Sequence, residues 1–210
     1  MTPLRGFTPP PQAEGVSSPA GLKLHLGCGR TILSGWVNVD QVKLPGVDVV
    51  ADLDSCRRTK LPFADDSVEE FLLSHTIEHI SDTLALMQEL HRVAKPGAKL
   101  VARTPYGSSD DAWEDPTHVR AYFIQSWGYF SQPYWWKSDS GYRGDWQPEA
   151  LQLIVNKEKY STFTAKMILE RVFAERNVVN EMVATLVAVK PIREPKRELR
   201  VLPKITFITT

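Results

Sequence analysis

Apolar positions along this chain fall into short runs divided by glycine, proline and charged residues, and the period of the runs changes repeatedly. Leu22 to Leu26 predicts a strand that runs straight into the turn Gly27-Cys28-Gly29. Trp36 to Asp40 predicts a second strand, and Val47 to Val50 a third that ends at Asp52. Val68 to Ser74 alternates loosely and is apolar enough for a fourth strand, buried in a parallel sheet. Leu84, Met87, Leu90 and Val93 recur every three residues within a helix over 82–94, a stripe expected to pack on the core. Lys95-Pro96-Gly97 is expected to stop that helix with a turn, and Lys99 to Thr104 to form strand five, closed by Pro105. Leu151 to Asn156 then predicts strand six, Phe163 to Phe173 a helix, and Met182 to Val189 strand seven. Strands that alternate with helical patterns predict an α/β fold with a largely parallel sheet.

Between strands five and six the periodicity lapses. Residues 106–150 hold five of the six tryptophans and five of the six tyrosines among polar loop residues, with a short helix expected over Ala121 to Phe130. An aromatic, irregular insertion between sheet strands is read as a substrate lid or, alternatively, as a packed cap over the sheet edge. Tyr129, Tyr134, Trp135 and Trp136 are also candidates to cage a cation, although most such aromatics pack a core. Residues 1–20, with Pro3, Pro9, Pro10, Pro11 and Pro19, are expected to be a disordered leader. Residues 191–210 are charged and then β-prone, a tail expected to dock on a partner subunit such as a second copy.

The chain has 210 residues, 42% of them hydrophobic, which suits one domain with a sizeable core over 21–190. Its 25 basic and 25 acidic residues cancel. That balance leaves no electrostatic footprint for a nucleic-acid backbone, so no nucleic-acid partner is expected. No run is long enough to span a membrane and no signal peptide is apparent, which predicts a cytoplasmic protein without a membrane partner. Two cysteines, Cys28 and Cys56, make no disulfide framework.

Strand one, its Gly27-Cys28-Gly29 turn and Asp40 at the end of strand two form the order of parts used by nucleotide sites. Glycines let the backbone pass close to a ligand, and a carboxylate can accept from two ribose hydroxyls. A dinucleotide fingerprint would need a third glycine where Ile32 stands, and its acid would come about 20 residues on. Nothing resembles the Gly-Lys-Ser/Thr of a phosphate loop. A ribose-bearing cofactor without phosphates is the expectation.

At these residues the chain resembles the class I S-adenosylmethionine-dependent methyltransferases, in their small, type-11-like form. Leu24 to Gly29 is similar to the family's first motif, Gly35 to Asp40 to its second and Val50 to Leu53 to its third. Leu61 to Glu69 and Ser74 to Ile80 flank strand four as in that family, and Val93 to Ala98 is similar to the turn before strand five. The resemblance covers residues 22–105. It implies a Rossmann-like, doubly wound seven-stranded sheet in an α/β/α sandwich, mostly parallel, with the last strand inserted antiparallel between strands five and six. S-adenosylmethionine is the implied cofactor and S-adenosylhomocysteine the product.

The resemblance also implies site roles. Gly27, Cys28 and Gly29 approach the methionine portion, Asp40 holds the ribose, Asp52 and Leu53 meet the adenine, and His75 and Thr76 approach the sulfonium. Only Arg30 to Gly35 separate the glycine turn from strand two, so Arg30 is read either as a cation for the cofactor's carboxylate or as a solvated turn residue. After strand five, Asp115-Pro116-Thr117-His118-Val119-Arg120 is similar to a segment recurring in small methyltransferases of unassigned substrate. His118 is read as a general base, with Asp115 orienting it or binding an acceptor amine, or else both residues only tie the lid to the sheet. Tyr106, Trp113, Arg120, Trp135 and Trp136 are the expected acceptor-binding residues.

One competing motif is His75-Thr76-Ile77-Glu78-His79, the H-x-x-E-H of inverted zinc peptidases. It requires a helix, whereas here it leaves a strand, so no metal is expected. The predicted activity is methyl transfer to an oxygen or nitrogen of a small-molecule acceptor such as a sugar, peptide or natural-product intermediate. The alternative is a non-catalytic cofactor-binding subunit of a methyltransferase complex. A nucleic-acid methyltransferase lacks both a basic surface and the Asn/Asp-Pro-Pro-Tyr/Phe motif after strand four.

Overall fold

Burial of the apolar runs organises the chain into one eight-stranded sheet, seen in a computed structural model that describes residues 21–136 and 138–210. The expected leader over 1–20 lies outside the described residues. The strands are β1 (Leu22–Leu26), β2 (Val37–Asp40), β3 (Val49–Val50), β4 (Val68–Ser74), β5 (Ala94–Pro105), β6 (Trp146–Val155), β7 (Val179–Ala188) and β8 (Lys204–Thr209). Their order in the sheet is β3-β2-β1-β4-β5-β7-β6-β8. The first five run parallel, and Leu24, Leu26, Val39, Leu73, Leu100 and Ala102 are fully enclosed. β7 pairs antiparallel with both β5 and β6. This is the Rossmann-like architecture expected, with one strand more.

The additional strand is the C-terminal tail. Lys204 to Thr209 pairs parallel with β6, from Ala150↔Lys204 to Val155↔Thr209, so the tail docks on its own sheet. Ile205 and Phe207 pack against the core there, which gives the β-prone residues their burial without a partner.

Helix α1 (Thr83–Val93) begins where Asp82 accepts from the Ala85 N–H (3.2 Å), an N-cap that satisfies a free backbone donor. Leu86, Met87, Leu90 and Val93 are its fully buried stripe, and Leu84 sits at the margin. The helix passes directly into β5 with no separate turn. Pro96 has no N–H to give a ladder, and Gly97 takes φ +79°, so residues 95–98 bulge between the pairs Val68↔Ala94 and Glu70↔Lys99.

The aromatic insertion holds less regular structure than expected. The helix predicted over 121–130 is replaced by short 3₁₀ turns at Ser126–Phe130 and Gln132–Trp136, preceded by a brief helix α2 (Asp111–Glu114). Beyond β6, helices α3 (Lys157–Tyr160) and α4 (Ala165–Ala174) are capped by Asn156 and Thr164. Because β5 and β6 both oppose β7, they run the same way. The segment between them therefore leaves the carboxyl edge of the sheet at Tyr106 and returns at the amino edge, where Trp146 starts β6.

His91 of α1 is enclosed there, its Nε2 3.0 Å from the Val189 carbonyl oxygen and its ring edge-on to Trp146. Burial pushes its pKa below the usual 6.5. The unfolded chain then binds a proton that the folded chain refuses, so stability falls as pH drops below about 6.5 toward the lower folded value. Urea unfolding at pH 7.5 and pH 5 is expected to show the loss, and His91→Gln to reduce its share of it.

Candidate functional site

The loops after β1, β2, β3 and β4 meet at the carboxyl edge of the sheet, where open α/β sheets bind ligands. They enclose a cleft of about 470 Å³ lined by Gly27, Asp40, Asp52, Leu53, His75 and Thr76, which brings together six of the expected site residues. Sequence reasoning missed Gln41, His79 and Thr117 in its wall. Thr117 carries no spacing signal, since only folding brings the 115–120 segment beside β4.

The glycine turn is fixed by two devices. Gly27 has φ +65°, and a Cβ on it would lie 2.4 Å from Thr76 Cγ2. The Thr76 hydroxyl in turn lies 3.2 Å from the carbonyl oxygens of Leu26 and Ser74, so it cannot easily give way. Asp40 supplies the second device: its Oδ2 accepts from the Gly29 N–H (2.8 Å) and its Oδ1 from the Val42 N–H (2.9 Å). Each carboxylate oxygen keeps a further acceptor site for a ligand. Gly27→Ala is expected to cost more than the 1–2 kcal/mol of a left-handed alanine, because the clash adds to it. Thermal unfolding and cofactor titration should both register the change.

Cys28 and Gly29 shape the turn without lining the cleft. Cys28 is buried, and burial together with the Asp40 charge raises its thiol pKa, which suits a small filler and not a nucleophile. Arg30 is exposed and outside the cleft wall. Asp52 caps the short turn Leu53–Ser55 through Oδ1, which accepts from the Asp54 N–H (2.9 Å), and Leu53 is buried beside it.

His75 leaves β4 with φ +52°, a left-handed conformation uncommon for residues that carry a side chain. Its Nδ1 stands 3.5 Å from Glu78 Oε1 and its Nε2 3.1 Å from Glu181 Oε1. The Glu78 carboxylate, chiefly, and the Glu181 charge push the imidazole pKa up, favouring the cation. The motif His75 to His79 spans a strand end and a single 3₁₀ turn at Ile77–His79. It is not the helix that an inverted zinc peptidase needs.

The 115–120 segment sits beside the cleft and gives Thr117 to its wall. Asp115 is exposed and its Oδ1 accepts from the Thr117 N–H (2.8 Å) and hydroxyl (2.6 Å), bonds that lower its pKa. His118 stands behind the wall, its side chain 10% exposed, with Nε2 3.8 Å from Asp115 Oδ2 and Nδ1 3.3 Å from the Ala112 carbonyl oxygen. Arg120 is exposed next to it, and the exposed Trp113 donates its indole N–H to the Gly107 carbonyl (2.9 Å).

The expected aromatic acceptor residues are not gathered over the cleft. Tyr106 is buried edge-on to Phe123. Trp135 lies under the Arg143 guanidinium (4.4 Å) and Trp136 near that of Arg197 (5.8 Å). Tyr129, Tyr134 and Trp135 line a separate hollow of about 310 Å³. Tyr134 also borders a groove with Gln147 and Pro148, at the start of β6 and hence at the amino edge. Chain direction decides this: the insertion must reach the amino edge to begin β6.

Residues 24–102 match the profile of a family described as a methyltransferase domain. Over 43 residues the chain is 42% identical to a demethylmenaquinone methyltransferase of Streptomyces avermitilis, covering 20% of this chain and 19% of that protein. Among solved structures, a SAM-dependent methyltransferase from Archaeoglobus fulgidus superposes with a TM-score of 0.57 at 14% identity, covering 80% of this chain and 86% of that one. The YcgJ protein of Bacillus subtilis follows with a TM-score of 0.49 at 15% identity, covering 81% and 92%. Likeness at this identity shows the fold and does not select an acceptor. Among the described residues no helix is long and apolar enough to cross a membrane.

Proposed function

We propose that this chain carries a class I, S-adenosylmethionine-dependent methyltransferase domain and that it methylates an oxygen or nitrogen of a small-molecule acceptor. The observation that carries the proposal is the meeting of Gly27, Asp40, Asp52 and Thr76 in one cleft at the carboxyl edge. The cleft volume lies in the range of about 300–1,000 Å³ typical of small-ligand pockets. The residues fit the cofactor. The turn leaves no room for a Cβ at Gly27, and Asp40 keeps acceptor sites after its two backbone bonds.

The bound cofactor supplies an electrophilic methyl group on a sulfonium, so the protein's task is alignment and exclusion of water. Asp40 accepts from the ribose hydroxyls, Asp52 from the adenine amino group, and Leu53 covers one face of the base. Gly27 lets the backbone approach, and Thr76 closes the turn from beneath. Asp115, Trp113 and Arg120 project from the segment that gives Thr117 to the cleft wall, and they are proposed to hold the acceptor. A neutral chain, without a surplus of basic residues, favours a small acceptor over a nucleic acid.

Calorimetric titration of the full chain with S-adenosylmethionine and S-adenosylhomocysteine tests the reading. One-to-one binding in the micromolar range is expected. Absence of binding to either would overturn it, and tight, strongly salt-dependent binding to RNA would replace the small acceptor.

A further inference from the structure

We propose that Glu78, His79 and His118 form a binding site for one divalent transition-metal ion, with zinc as the cation to test. One ligating atom from each residue lies within 4.8 Å of those of the other two. The set differs from the sequence motif, because it leaves out His75 and recruits His118 from across the fold. The His79 and His118 rings stand edge to face, 4.8 Å apart.

Two further observations support the assignment. Glu78 is enclosed, with a side chain only 2% exposed, yet neither carboxylate oxygen finds a hydrogen bond among the described residues. A buried carboxylate left so is costly, and a bound cation is one of the few things that relieve it. Its neighbour His75 stands 3.5 Å away, within ion-pair reach when protonated but long for a hydrogen bond.

The two imidazoles are also held as ligands are. His79 Nδ1 faces the Thr117 carbonyl oxygen at 3.2 Å, and His118 Nδ1 faces the Ala112 carbonyl oxygen at 3.3 Å. A carbonyl only accepts, so each Nδ1 is the donor, which makes Nε2 the ring nitrogen that would ligate a metal. Metal-bound histidines are oriented in this way. Thr117 extends the support, since it bonds Asp115 and lies 3.0 Å from His79 Nδ1.

Two histidines and a carboxylate suit zinc, and such a set leaves a coordination position for water or a substrate oxygen. Ligand atoms of a tetrahedral zinc site stand roughly 3.3 Å apart, so separations of up to 4.8 Å need to close by up to about 1.5 Å on binding. Since His79 lines the cleft, the ion would sit in its wall, beside the place proposed for the acceptor. The site itself does not rest on the methyltransferase reading.

The test is titration of the chelator-treated full chain with zinc, in competition with a chromophoric zinc indicator. One equivalent is expected to bind with sub-micromolar affinity. His79→Ala and His118→Ala should each weaken it about 100-fold, and Glu78→Gln by at least about 10-fold. His75→Gln should leave the affinity unchanged or tighter, since that residue competes for Glu78. His118→Gln, with S-adenosylhomocysteine affinity and circular dichroism as controls, separates lost ligation from lost folding. Absence of stoichiometric zinc binding would overturn the proposal. So would binding indifferent to His118, or binding that requires His75.

Discussion

Asp40→Ala is expected to weaken S-adenosylhomocysteine binding by at least about 100-fold, some 2.7 kcal/mol, in calorimetric titration. A hydrogen bond to a charged group contributes about 1.5–3 kcal/mol, and the ribose offers two. The substitution also frees the Gly29 and Val42 N–H groups that Asp40 accepts at 2.8 and 2.9 Å, so the turn loses its brace along with the ligand's anchor. Asp40→Asn should fall between, because its amide keeps one acceptor and turns a donor toward a donor. Unaltered affinity in Asp40→Ala, with the protein still folded, would remove the cofactor from this cleft.

Arg193→Ala is expected to destabilise the fold by about 3–5 kcal/mol, the usual cost of leaving one partner of a buried ion pair. Asp145 is wholly enclosed. Arg193 reaches it with Nε on Oδ2 (2.8 Å) and Nη2 on Oδ1 (2.7 Å), and its own N–H adds a bond at 3.1 Å. The pair pins the start of the C-terminal segment to the end of the aromatic insertion. Adding Asp145→Asn to Arg193→Ala should recover part of the loss, since a neutral amide can still accept from the Gln132 N–H (3.2 Å) and no charge is stranded. Urea unfolding of the four proteins measures the coupling. A loss below about 1 kcal/mol, the range of an exposed pair, would contradict the structure's account of this contact.

Much of the cofactor half was legible before any coordinates. β1 and β4 fall on the predicted residues, and α1 starts one residue after its Asp82 cap, because period and capping are local. The first glycine of the turn and Asp40 were legible for the same reason: strand, turn and acid lie within one short stretch of chain. The bulge at 95–98 was not, since Pro96-Gly97 reads equally well as a helix stop or an irregular strand entry, and pairing with β4 settles it.

The acceptor side was much less legible. Trp135 and Trp136 look like a lid in the sequence, but neither lines the cleft, and the common direction of β5 and β6 carries the adjacent Tyr134 to the amino edge beside Gln147 and Pro148. Residues 204–209 look like a docking strand for a partner, and β6 takes them instead. His118 reads as a base from its neighbours in sequence; in space it keeps Asp115 at 3.8 Å and gains His79 and the buried Glu78.

By itself the sequence determined the α/β class, the succession of strands one to five along the chain, and a turn with an acid suited to a ribose. These follow from backbone sterics and hydrophobic period, which act over a few residues. Tertiary structure alone decided the eighth strand, the cleft wall at Thr117 and the grouping of Glu78, His79 and His118. Those depend on which strand edge is free and on which way the chain must run to reach it, and no local pattern encodes either.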